Sequence, residues 1–190
     1  MRNIFLTFTF FIMSISLIKA QVSKQSDLYA TTLLVRLSTN EHLINYYVQK
    51  GDIEKANIER EKQSKKNTQI INQFRDKWQL TSVYFFYSNH STEIQRNNFN
   101  NIFKDTKQTQ LNDTEKRDLN NNFIIAYFGR TNGPLKFNAL VLTNEKFESL
   151  QKPMPRHVRT YDKLGFLKRS EGKAIEILEK KLKFKKLNLK

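Results

Sequence analysis

Cysteine is absent from this 190-residue chain. That excludes disulfides, a cysteine-linked lipid anchor, thiol redox chemistry and any thiolate metal site, so stability has to come from a packed core. Glycine occurs only five times and proline three. No G-x-G-x-x-G or G-x-x-x-x-G-K pattern is present, so the chain lacks the glycine loops that cradle phosphates and no nucleotide cofactor is expected. Histidine stands at His42, His90 and His157 alone. No two of them lie at a ligand spacing such as H-x-x-x-H, and no metal site is expected.

Long apolar runs are equally scarce, with one exception. Residues 4–18 carry no charge, follow Arg2 and lead to Ala20. About 15 apolar residues fall short of the roughly 20 needed to span a bilayer, so residues 1–20 read as a secretory signal peptide and the mature chain as periplasmic or extracellular. An uncleaved anchor is the alternative, because Ile18 is a poor residue two positions before the cleavage point. Residues 21–190 are long enough for one domain with a real core and too short for two large ones.

What is abundant is positive charge. The chain carries 33 basic and 18 acidic residues, a net +15. Without Arg2 and Lys19 this becomes +13, and residues 152–190, with 13 basic against 4 acidic, account for +9 of it. The basic region from about residue 152 is therefore the part that calls for a partner, whether an acidic molecule or an anionic envelope surface. Specific nucleic-acid binding is not expected of an exported chain.

Local patterns predict an α/β domain. Residues 29–37 are β-rich and read as a first strand. Ser38 or Thr39 is placed to cap a short helix with Leu43, Ile44 and Tyr47 on one face, and Gly51 to end it. Asp52 caps a second helix reaching about Trp78, with Ile53, Ala56 and Ile58 at its start and an apolar stripe of Ile70, Ile71, Phe74 and Trp78 at its end. Its polar middle is either solvated or the projecting part of a helical hairpin. Val83, Tyr84, Phe85, Phe86 and Tyr87 are five consecutive β-branched or aromatic residues, a strand covered on both faces and hence expected in the middle of the sheet. Residues 93–104 suit a short helix or a packed irregular segment, and 105–122 a polar loop. Residues 123–128, FIIAYF, and 137–142 flank Asn132-Gly133-Pro134 and should form an antiparallel hairpin. Pro153 and Pro155 should keep 151–156 extended. Ser170 opens a last helix with Ile175, Leu178 and Leu182 on one face.

The expected architecture is a mixed sheet of about four strands with a helical-hairpin crossover, whose first two strands are parallel, and a C-terminal helix. This order resembles the thioredoxin-like βαβαββα arrangement without its Cys-x-x-Cys, which implies a redox-inactive version of that fold. The blocks YATTLLVRLSTNE, VYFFYS, FNALVLTNEKFESL and KPMPRHVRTY resemble an exported bacterial protein family with no activity assigned, so no catalytic residue follows from the likeness.

Three groups of residues could carry function. Ser88, His90, Ser91 and Glu93 place hydroxyl, imidazole and carboxylate after a buried strand, as a small hydrolase would need, yet no Gly-x-Ser-x-Gly elbow surrounds either serine. Arg130, Arg156, His157, Arg159 and Tyr161 could converge on an anion. Lys180, Lys181, Lys183, Lys185 and Lys186, mixed with Leu, Ile and Phe, form a basic amphipathic end suited to an acidic surface, or simply a packed helix with its lysines in water. A non-enzymatic binding protein is the preferred expectation.

Overall fold

The structure is a computed structural model that describes residues 32–119, 123–132, 134–162 and 164–187, with 185–187 as backbone alone. The leader at 1–20 and the side chains of Lys185 and Lys186 lie outside that description. Five strands form one mixed sheet: β1 (Thr32–Leu37), β2 (Val83–Tyr87), β3 (Phe123–Arg130), β4 (Asn138–Thr143) and β5 (His157–Arg159), in the order β2-β1-β3-β4-β5. β1 is parallel to both β2 and β3, while β3–β4 and β4–β5 are antiparallel. The fifth strand escapes sequence reading because three residues are too few to show an alternating pattern.

Helices α1 (Glu41–Gln49) and α2 (Ile53–Lys77) connect β1 to β2. Gly51 adopts φ +74° between them, where a side chain would be strained. Asp52 caps α2 by accepting the Lys55 backbone N–H at 3.1 Å. The N-cap of α1 is Asn40 at φ 55°, rather than Ser38 or Thr39. Those two are otherwise engaged: the Ser38 carbonyl accepts from Asn67 Nδ2 at 2.8 Å, and Thr39 meets Ser88. Of the apolar residues assigned to the α1 face only Ile44 is buried, and at the start of α2 only Ala56 is, with Ile53 and Ile58 exposed. The middle of α2 is tied back to the β1 loop through buried Asn67, and Asn40 Nδ2 reaches Glu59 Oε1 at 2.7 Å.

Two apolar layers sandwich the sheet. Along β1, Leu33, Val35 and Leu37 face one layer and Leu34 the other, the period of two expected of a strand. The first layer is closed by Ile70, Ile71, Phe74 and Trp78 of α2 and by Ala174, Ile175, Leu178 and Leu182 of α5 (Glu171–Leu187). The second is closed by Ile94, Phe99, Ile102, Leu111 and Leu119, from α3 (Ser91–Gln95), α4 (Asp113–Leu119) and the segment between them. Burying each Leu or Phe here contributes about 1.5–3 kcal/mol.

Three expectations are corrected. Val83–Tyr87 is buried on both faces but is the edge strand, not a central one; β1 and β3 hold the middle with β4. The free edge of β2 is covered by Phe103, which exchanges two backbone hydrogen bonds with Phe85 at 2.8 and 2.9 Å, so an edge strand can look central in sequence. Within 105–122 a helix forms, α4. Asn112 Oδ1 accepts the Glu115 N–H at 2.9 Å and Glu115 Oε2 accepts the Asn112 N–H at 2.8 Å, a reciprocal capping box that the polar composition concealed. Finally, 151–156 turns instead of extending: the Lys152–Pro153 peptide is cis, Met154 N–H donates to the Gln151 carbonyl, and Met154 drops into the core.

α5 packs as a core helix. Ser170 Oγ accepts the Lys173 N–H at 3.3 Å. Lys77 Nζ pairs with Glu176 at 2.8 Å, and buried Glu179 accepts from the Gln79 N–H at 3.0 Å and pairs with Lys183 at 2.9 Å.

Candidate functional site

Because β5 is antiparallel to β4 and β4 to β3, strands β1, β2, β3 and β5 all point the same way. The loops that leave them therefore gather at one end of the sheet, the end where open α/β sheets hold ligands. Both loop-borne groups of candidates have members there, on different strands.

Ser88, His90 and Ser91 follow β2. Thr39 N–H donates to Ser88 Oγ at 3.1 Å and the two hydroxyl oxygens lie 3.0 Å apart. Ser91 Oγ donates to the Ser88 carbonyl at 2.6 Å and accepts from Arg36 Nε at 2.9 Å. Both serine hydroxyls thus tie the residues after β2 to β1, Ser88 through the loop residue Thr39 and Ser91 through Arg36 of the strand itself. His90 Nδ1 lies 3.1 Å from Glu93 Oε1, and Asn101 Nδ2 donates to Glu93 Oε2 at 2.6 Å. These two hydrogen bonds hold the Glu93 carboxyl below its ordinary value, with His90 the larger cause. The arrangement brings imidazole and carboxylate together and leaves both serines bonded elsewhere.

Arg36 stands between the two groups. It interrupts the apolar run of β1, its guanidinium 5.9 Å from the Tyr127 ring centre and 5.8 Å from that of Phe147. Burial lowers its pKa and raises that of Tyr127. A lone Arg within LLVRL was the sequence signal for it.

The second group is brought together in part. Arg130 ends β3 and Arg159 ends β5; with Lys136, Phe137, Asn138, Tyr161, Asp162 and Leu164 they line a cleft of about 400 Å³. The Arg159 guanidinium lies 3.8 Å over the Phe137 ring, and Phe137 meets His157 edge-on at 5.0 Å. Arg169 lies 4.7 Å over Tyr161 and donates to the Arg159 carbonyl at 3.1 Å. Stacking of this kind orients a guanidinium and leaves its N–H edge free to donate. Tyr161 itself sits at φ 54°, an uncommon conformation for a residue with a side chain. Among the described residues none of Arg130, Lys136 and Arg159 enters an ion pair, and Asp162 is the one acid on the wall.

Arg156 does not join them; it is exposed, and its Nε donates to the Leu150 carbonyl at 2.9 Å. His157 stands behind Phe137, its pKa lowered by burial first and then by Arg159, Lys181 and Arg156. Lys136 and Phe137 were not singled out from the sequence, although a Lys-Phe pair directly after a turn is the signal that would have found them. On α5, Lys180, Lys181 and Lys183 are exposed. Among the described residues no group of three metal-ligating side chains assembles, and no helix is long and apolar enough to cross a membrane.

No family model matches the chain, and neither a curated protein nor a solved structure shows significant similarity to it.

Proposed function

We propose that this is an exported, non-enzymatic binding protein that holds an acidic partner through its basic region. The observation that carries the reading is the cleft at the strand ends, where Arg130, Lys136 and Arg159 meet with one acid between them and no ion pair among the described residues. A stacked Arg159 offers preoriented donors to a phosphate or carboxylate. The lysines of α5 add long-range attraction, which weakens as salt shortens the Debye length from about 10 Å at 0.1 M to about 3 Å at 1 M.

Inorganic polyphosphate, titrated at low and high salt, tests the division of labour. The double variant Arg130→Ala, Arg159→Ala should bind at least about tenfold more weakly at either salt, since a hydrogen bond to a charged group contributes a net of about 1.5–3 kcal/mol and about 1.4 kcal/mol is tenfold. Replacing Lys180, Lys181, Lys183, Lys185 and Lys186 by Gln should remove mainly the salt-sensitive part. A double arginine variant that binds polyphosphate as wild type does would end this reading. Among the described residues no serine is hydrogen-bonded to His90, as the hydrolase alternative would need, and binding is the better supported of the two.

A further inference from the structure

The loops that wall the cleft also carry exposed apolar side chains. Phe166 is 92% exposed, Leu135 78%, Leu164 48% and Leu167 45%. Leu135 lies in the turn between β3 and β4. The other three lie in the β5–α5 loop, on or beside a short 3₁₀ turn (Gly165–Leu167) held by Leu164 N–H to the Tyr161 carbonyl at 2.9 Å and Leu167 N–H to the Leu164 carbonyl at 2.8 Å. A side chain as large as Phe at 92% exposure buries little apolar area in the fold, and several on two neighbouring loops are the kind of surface that an apolar partner covers.

Cations accompany these side chains in the same loops and in the cleft. Lys136 follows Leu135, Lys168 and Arg169 follow Leu167, and Arg130 and Arg159 lie in the cleft between the loops. Exposed apolar side chains on the loops beside a basic cleft match the two components of an anionic membrane surface, in which phosphates lie outside and acyl chains beneath. A groove would suit a peptide or helix; separate projections around a cationic cleft suit a deformable bilayer whose phosphates the cleft can receive.

We infer that this end of the protein docks on an anionic phospholipid bilayer, with Leu135, Leu164, Phe166 and Leu167 entering the acyl boundary and Arg130, Lys136 and Arg159 engaging lipid phosphate. The inference rests on the binding reading of the cleft and names its partner. It also relocates the membrane contact from the lysines of α5 to the loops.

The test uses the full chain carrying Phe166→Trp. The chain's own single tryptophan, Trp78, is buried in the core and supplies a constant background. Vesicles of equal parts phosphatidylcholine and phosphatidylglycerol should shift the emission of the introduced indole to the blue and expose it to quenching by brominated acyl chains; pure phosphatidylcholine vesicles should do so weakly. Because the reading is local to residue 166, attachment through the apolar stretch at 4–18 does not imitate it. Adding Leu135→Ser with Leu164→Ser should raise the lipid needed for half of the shift about tenfold or more, and Arg130→Ala with Arg159→Ala about 30-fold, as expected when about 1 kcal/mol is lost at each of two basic contacts. Circular dichroism should show both variants folded, since all four positions are exposed.

An introduced indole whose emission and quenching ignore saturating anionic vesicles overturns the lipid inference. If polyphosphate binding still depends on Arg130 and Arg159 in that case, the cleft reading survives it. If neither probe responds to the arginine pair, both fall.

Discussion

Thr143 and Thr160 are buried, and the hydroxyl of each lacks a hydrogen-bond partner among the described residues. A buried hydroxyl without a partner forfeits its hydration, which costs about 1–3 kcal/mol. Thr143→Val keeps the branched shape in β4 and removes that cost, so the variant should melt about 2–4 °C higher for each 1 kcal/mol regained in a chain of this size. An unchanged or lower melting temperature by calorimetry would indicate a partner. His157 offers a second test. Unfolded, an imidazole takes up its proton near pH 6.5, whereas in the folded chain burial and three nearby cations resist protonation. Below about pH 6.5 the unfolded state therefore binds more protons, and stability should fall as the pH is lowered through that window and level off above it. Carboxylates such as Glu93 and Glu176, whose pKa values are lowered, act at more acid pH. His157→Gln should flatten the dependence just below about pH 6.5, and a variant with the wild-type slope would place the titration elsewhere.

At the scale of the element, β2 shows how burial and position separate. Its Phe85 and Phe86 are fully buried in opposite layers, yet the strand lies at the edge of the sheet. Phe103 closes that edge with two backbone bonds and stacks on Phe85 with ring centres 6.1 Å apart. Phe85→Asp should still prevent cooperative folding, because a carboxylate there has no partner and no water. A soluble Phe85→Asp protein with a sharp melting transition would mean that the edge opens to solvate it. The capping box of α4 teaches the converse lesson. Asn112 and Glu115 were visible as an N-x-x-E spacing, but the helix they start has one buried apolar residue, Leu119, and so no stripe for periodicity to detect.

Over the whole molecule, charge is the dominant property. With a net charge of +15 the chain repels itself and attracts any acidic surface that it meets. We propose cleavage near Ala20, and intact-mass measurement of the secreted protein should return a chain lacking residues 1–20; a membrane fraction holding the full mass would support the anchor instead. Composition, periodicity and turn chemistry by themselves determined the mixed α/β class, the helix pair after β1 with Gly51 and Asp52 at its joint, the β3–β4 hairpin and the buried face of α5. Each of these follows from contacts within a few residues along the chain. Tertiary structure alone decided that β1, not β2, is central, that Arg156 turns toward Leu150, and that the hydroxyls of Ser88 and Ser91 are bound to Thr39 and Arg36. It alone placed Arg130, Lys136 and Arg159 around one cleft. Those outcomes depend on strand order, which brings together residues distant in sequence, and a strand buried on both faces carries the same apolar pattern whether its neighbour is another strand or a single covering residue such as Phe103.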